Sequence, residues 1–333
     1  MPINDGQIQT VLRLAAIFSP EAKRQLDNYT RRRPQGGTDG HLRFVHYTSA
    51  TNARCIIGTK RMWMRNARCM SDFSEVQHGL DIFDAFFKDF NRKKSFTSVI
   101  DQCFPGATQE ALGQFEKWRT DLRLNSYITC ISEHDDLEDR QGRLSMWRAF
   151  GGDAPRVAVI FKFNVPILSA SELRLIFSPV AYLSDTRAHA ILDEVAQNVK
   201  AEAEFLESIG RETTVRMIFQ TFVAGVTCLK HEAFHEEREW RAIYLPNLYR
   251  SKLIECKVEN VGPVPQRVYK IPLDVSASED LADVEFSRIF DRLIIGPSSY
   301  PWVMYEAFVD DLEKAGVRDA KERVWVSKIP IRA

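Results

Sequence analysis

The chain reads as an α+β protein, and three observations carry that reading. Short β-prone runs alternate with long helical segments, without the strict strand–helix–strand rhythm of a doubly wound sheet. The 333 residues are 44% hydrophobic, enough for a large core. Lys plus Arg and Asp plus Glu both number 45, so neither a global basic field for nucleic acid nor an acidic excess typical of disorder is present.

Residues 1–40 read as an N-terminal helical appendage. Residues 41–333 read as a single α+β domain with helical insertions near 76–122 and 185–228. In the appendage, Ile8, Val11, Leu12 and Ala15 are spaced for one apolar helix face. Ser19-Pro20-Glu21 is a helix start, and 35–40 a glycine-rich joint. The main domain opens with a strand from Leu42 to Tyr47 that ends at Thr48-Ser49, a helix over 50–58 stopped by Gly58, and a strand from Arg61 to Arg65. In the polar loop that follows, Asp72 or Ser71 caps the next helix and Glu75 closes a capping box. A strand from Tyr127 to Ser132 leads into an acidic loop, His134 to Asp139. A helix bearing Met146, Trp147 and Phe150 stops at Gly151-Gly152, and Val157 to Phe163 is a buried strand. The stripe Val215, Ile218, Phe219, Phe222 and Val223 marks a core-facing helix. Strands from Glu237, at Val268 to Leu273, at Arg292 to Ile295 and at Arg323 to Ser327, with a helix near 300–315, complete the order.

The six cysteines include no C-x-x-C pair and sit mostly among apolar neighbours, as reduced thiols do. The first residues lack a signal-peptide pattern and no run approaches membrane length, so a cytoplasmic protein is expected.

The densest chemistry lies between Lys230 and Leu245, whose first twelve residues hold four acids, two histidines and two arginines. From Glu237 the pattern alternates. Glu237, Glu239 and Arg241 fall on one face of a strand, and Arg238, Trp240 and Ala242 on the other. Crowded carboxylates need a cation or a raised pKa to coexist, and Arg241 is the nearest cation. Trp240, facing away, is expected in the core with Trp147. His231-Glu232-Ala233-Phe234-His235 is a literal H-E-x-x-H, which binds zinc only when both histidines share one α-helical face. Here it runs directly into the alternating strand, so no metal is expected and a zinc peptidase is the remotest reading.

Several motifs in order resemble the bacterial family of unknown function 2971. They are His46-Tyr47-Thr48-Ser49, Asp72 with Glu75, Cys130-Ile131-Ser132-Glu133, Met146-Trp147, Lys230-His231 with Phe234, Glu236-Glu237 and Glu239-Trp240-Arg241, and Ser327-Lys328-Ile329-Pro330. The sequence departs from that pattern at Ser71, Phe73, Phe150 and Glu232, where the family has Asn, Pro, Tyr and usually Pro. The layout is similar, more weakly, to the ADP-ribosyltransferase superfamily. That resemblance implies a mixed, mainly antiparallel sheet core and a site built from His46 (with Arg43 in reserve), Ser132, and Glu237-Arg238-Glu239 as a Glu-x-Glu.

The resemblance implies NAD as substrate and these roles. Glu239 holds a ribose hydroxyl and stabilises the oxocarbenium-like transition state; Glu237 positions or deprotonates an acceptor. His46, Tyr47, Thr48, Ser132, Trp147, Arg241, Asp72 and Glu75 line the nucleotide site, with Ser132 ordering the Glu and Tyr47 or Trp147 stacking the nicotinamide. Taken singly, His46 reads equally as a core histidine, Ser132 as a helix cap and Trp147 as packing. The expected function is an NAD-dependent ADP-ribosyltransferase-like enzyme suited to a toxin or antiphage effector. The rival is a non-catalytic module binding a nucleotide or nucleic acid in the same cleft. Fold-level analogy cannot choose between them.

Overall fold

Strand β3 (Tyr127–Glu133) carries the architecture, because both of its edges are used and one of them is used twice. The computed structural model describes residues 5–32, 41–70, 75–149, 154–163, 173–261 and 264–330. Strands β1 (Leu42–Ser49), β2 (Arg61–Asn66), β4 (Arg156–Phe163), β5 (Ile176–Pro179), β8 (Glu239–Tyr244), β9 (Glu255–Val261), β10 (Val264–Pro272), β11 (Phe290–Ile295) and β12 (Val324–Val326) join it in one ten-stranded sheet. Its pairings are antiparallel except for β11 with β12, so the fold is α+β with a mainly antiparallel sheet. Short strands β6 (Ala181–Tyr182) and β7 (Leu229–Lys230) pair apart from it, in parallel.

One edge of β3 runs its length against β8, from Tyr127↔Tyr244 to Ser132↔Glu239. The other edge is shared. β1 pairs only at Phe44↔Glu133 and Val45↔Ser132, and β2 only at Arg65↔Ile128 and Asn66↔Tyr127. Between them, Thr129 to Ile131 have no strand partner on that edge among the described residues, and the sheet splits open there. β1 is free to diverge because β4 satisfies its other edge over eight residues, from Leu42↔Phe163 to Ser49↔Arg156.

The alternation of β8 puts its residues into different cores. Ile243 joins the helical core with Ile128; Ala242 and Tyr244 join the opposite core with Tyr127. The helical core is built by the two insertions. Helices α4 (Glu75–Lys88), α5 (Phe90–Asp101) and α6 (Ala107–Leu124) from the first pack with α8 (Asp185–Ala201), α9 (Ala203–Ile209) and α10 (Arg211–Thr227) from the second. The predicted stripe on α10 is buried in that layer. Helices α1 (Asp5–Phe18) and α2 (Pro20–Arg32) close over it: Ile17 and Phe18 enter the same core, and Tyr29 of α2 is buried against Phe44 and donates to the Arg43 carbonyl. The opposite face is covered by α3 (Ala50–Thr59), α11 (Phe286–Ile289) and α12 (Pro301–Lys314), with α13 (Ala320–Arg323) leading into β12.

Several expectations on elements need correction. Gly58 lies inside α3, and the helix ends instead at Lys60 in a left-handed conformation (φ 49°). Strands β5, β6, β7 and β9 lie outside the strands the sequence predicts. Ser71, Asp72, Phe73, Phe150, Gly151-Gly152 and the joint 35–40 lie outside the described residues.

Both tryptophans singled out in the sequence are buried, Trp240 at 2% and Trp147 at 5% exposure. Trp147 sits on α7 (Leu144–Ala149), edge-on to Tyr47 at 4.9 Å, and its Nε1 donates to the Gln141 carbonyl. Gly296 explains itself here, since a Cβ at that position would come within 2.8 Å of the Trp147 ring. Trp240 packs against Phe44 and Phe177 and donates to Glu133. Trp240→Ala should therefore cost roughly 3–5 kcal/mol in urea unfolding; a loss under about 1 kcal/mol would place the ring outside the core.

Candidate active site

Where the sheet splits, a cavity of about 970 Å³ opens, at the upper end of small-molecule sites. β1 contributes His46, Tyr47 and Thr48. β3 contributes Ile128, Thr129 and Cys130, and β2 contributes Met62, Trp63 and Arg65. The far wall comes from the chain around β7 and β8: Lys230, His231, Phe234, Glu237 and Glu239.

His46 spans the split. Its Nδ1 lies 2.9 Å from the Cys130 carbonyl, where a continuous ladder would have placed a backbone donor. A carbonyl only accepts, so Nδ1 carries the proton and Nε2 is left as an acceptor. Burial lowers the His46 pKa, the carbonyl bond opposing it only in part, which keeps the ring neutral.

The two glutamates reach the cavity differently from the sequence expectation. Residues Glu232–Glu237 form a 3₁₀ helix, Arg238 turns the chain in a left-handed conformation (φ 44°), and β8 begins at Glu239. Glu237 is thus on the helix and not on a strand face with Glu239. The turn nevertheless aims both at one ammonium: Lys230 Nζ lies 2.7 Å from Glu237 Oε2 and 3.5 Å from Glu239 Oε2. The other Glu239 oxygen accepts from Arg241 Nε at 2.8 Å. Arg241 is fully buried and also donates to the carbonyl of Thr227, at the C-terminus of α10.

These surroundings push the two carboxyls apart. Burial alone would raise Glu239, but the Arg241 and Lys230 charges outweigh it and hold it well below the usual carboxylate range. Glu237 is raised, first by burial and then by the Glu239 charge, with Lys230 opposing. One carboxyl is held ionised while its neighbour retains a proton more readily, the separation expected where one group works electrostatically and the other transfers protons.

The remaining predicted residues divide. Thr48 lines the cavity. Tyr47 does too, but its ring packs on Trp147 and its hydroxyl accepts from the Arg143 amide, with burial pushing its pKa up to about 12. Trp147 is core and cannot stack a ligand in this cavity. Ser132 does not line the cavity; it is the cross-strand neighbour of Glu239, whose side chain is held by Arg241 and Lys230. Arg241 acts behind Glu239, away from any ligand. Arg43, the reserve for His46, is committed elsewhere, paired with Asp136, Asp139 and Asp291. Asp72 is outside the described residues, as is the side chain of Glu75. Lys230 was visible only as part of a motif; two acids flanking it at seven and nine residues signal nothing until the turn at Arg238 folds them back.

The H-E-x-x-H histidines do not form an α-helical zinc pair. Three residues per 3₁₀ turn put i and i+4 on different faces. His231 Nδ1 accepts the Ala233 amide, and His235 Nδ1 lies 3.1 Å from the Glu232 carbonyl.

Residues 146–242 match the family DUF2971, a protein family of unknown function. The DUF2971 segment runs from Met146 through β8 and takes in Lys230, Glu237, Glu239, Trp240 and Arg241, while His46 and Ser132 lie before it. No curated protein matches the chain, and no solved structure matches it. Among the described residues, no helix is long and apolar enough to cross a membrane.

Two outcomes are expected. Protein purified without chelator should carry well under one zinc per chain; about one per chain, lost on mutating His231 and His235, would restore the metal reading. Glu239→Gln keeps the side-chain shape but leaves Arg241 buried without its counter-charge, so the stability cost should be roughly 3–5 kcal/mol at pH 7. The sign with pH follows from the depressed value. Glu239 contributes fully above the ordinary glutamate range, near ~4.3, and its contribution is lost as pH falls through the folded value. The gap between wild type and Glu239→Gln in urea unfolding should therefore shrink below pH 4. A gap independent of pH would mean that the carboxylate is not clamped.

Proposed function

We propose that the protein is an NAD-dependent ADP-ribosyltransferase-like enzyme acting in the cavity at the sheet split. The observation that carries the reading is the Glu237–Lys230–Glu239 cluster on the cavity wall. It combines one carboxylate held ionised with one whose proton affinity is raised, facing a neutral histidine that offers an acceptor. Cleavage of the C1′–N bond of NAD releases neutral nicotinamide with the bonding electrons and leaves positive charge on the ribose. The ionised Glu239 opposes that charge, and its oxygens also accept hydrogen bonds from ribose hydroxyls. His46 Nε2 accepts from a hydroxyl on the opposite wall. Glu237 takes the proton of the acceptor nucleophile as that group bonds to C1′; its raised pKa brings it closer to the working pH of a general base.

A second reading is a non-catalytic nucleotide-binding module. It is favoured by two features: both Glu239 oxygens already face cations, and of the two rings expected to stack nicotinamide, Trp147 is in the core and Tyr47 packs against it. Nicotinamide release separates the two. Under the transferase reading, wild type releases nicotinamide from NAD and Glu239→Gln loses on the order of 10²–10³ in rate. Glu237→Gln should impair transfer to an acceptor more than hydrolysis. Nucleotide binding by wild type with no release under any condition would leave only the binding module.

A further inference from the structure

The acidic loop after β3 has no part in the chemistry above, yet it makes the most complete set of contacts near the site. At its end, the Arg143 guanidinium uses all five of its N–H donors. Nε and Nη2 form a fork on Glu138, at 2.8 and 3.1 Å. Nη2 also donates to the Glu133 carbonyl at the end of β3, at 2.7 Å. Nη1 donates to the carbonyls of Glu236 and Glu237, at 3.0 and 3.3 Å. The Arg143 amide donates to Tyr47 on β1. One residue therefore joins the ends of β1 and β3 to the last carbonyls of the 3₁₀ helix that bears Glu237.

Those carbonyls need a partner. The C-terminal acceptors of a helix have none within it, and a cation there also meets the negative end of the helix dipole. A glycine usually completes such an end locally; here Arg238 takes the left-handed position, and the same loop holds it through an ion pair with Asp135. The cap is thus supplied across space by Arg143 and Asp135. We propose that Arg143 is the positioning residue of the candidate site, fixing the turn that brings Glu237 onto Lys230 beside Glu239. Its value for proton transfer rests on the transferase reading, but the positioning does not. Lysine cannot replace it, because one ammonium has no planar fork to reach Glu138, Glu133 and the helix end together.

The test follows the Glu237 carboxyl carbon by NMR titration, assigned with Glu237→Gln. The charged and titratable groups facing that carboxyl are Lys230, Glu239 and, from β6, Tyr182. In wild type, its midpoint should lie above that of an exposed glutamate. In Arg143→Gln and Arg143→Lys, the turn loosens, Glu237 is hydrated, and the midpoint should fall back toward about 4.3, while that of Glu239 stays depressed. Glu138→Gln leaves the three carbonyl bonds in place and should keep the wild-type midpoint. An unchanged Glu237 midpoint in a folded Arg143 variant, or loss of the fold in both, overturns the proposal, the latter because Arg143 would then be a general structural residue. The readout needs no NAD, so absence of nicotinamide release in wild type would sink the transferase reading and leave this result standing.

Discussion

A β-strand has two edges, and β3 divides one of its edges between two partners. That division shapes the molecule. If β1 stayed paired beyond Val45↔Ser132, the ladder would close over Cys130 and no cavity would form. The Cys130 carbonyl, beyond the reach of the β1 ladder, needs a donor, because a buried acceptor without one costs about 1–3 kcal/mol. His46 supplies the donor at 2.9 Å. The same bond that repairs the split also selects the histidine tautomer and leaves its second nitrogen as an acceptor.

The opposite wall faces a different problem, two carboxylates and two cations taken largely out of water. Removing charges from water costs several kcal/mol per ion and is offset only by well-formed pairs. Arg241 and Lys230 share Glu239 between them, and Lys230 reaches across to Glu237. This arrangement leaves the carboxyls unequal. Because Arg241 is anchored to the end of α10, the helical layer contributes directly to the electrostatics of the site. The insertions are therefore part of what holds Glu239 ionised, beyond filling a second core.

The loop between β3 and α7, polar and with one 3₁₀ turn at Asp136–Glu138, organises its surroundings. It packs its acids against arginines: Asp135 on Arg238 and Asp136 and Asp139 on Arg43, both from elsewhere, and Glu138 on Arg143 at its own end. It thereby ties β1 to the chain entering β8. In a chain of zero formal net charge, such pairing uses the charges locally and leaves no single-sign field.

Much of this was legible in the sequence. Periodicity alone located the strands of β1, β2, β3, β4, β10 and β11 and the helical insertions, because apolar spacing reflects which face is buried. Strand alternation correctly turned Trp240 into the core, on the face opposite Glu239. Motif order brought His46, Ser132, Glu237 and Glu239 forward as one site; His46 and the two glutamates line one cavity, and Ser132 does not. What sequence could not decide depends on contacts distant along the chain. Nothing local marks Arg143 as the partner of carbonyls more than ninety residues away. Nothing local makes Lys230 the shared cation, or moves Trp147 from a stacking surface into a core bounded by Gly296. The left-handed turn at Arg238 broke the predicted alternation for the same reason. A residue without a glycine's freedom is held in that conformation by tertiary bonds, and those exist only once the loop, the sheet and the helix end have come together.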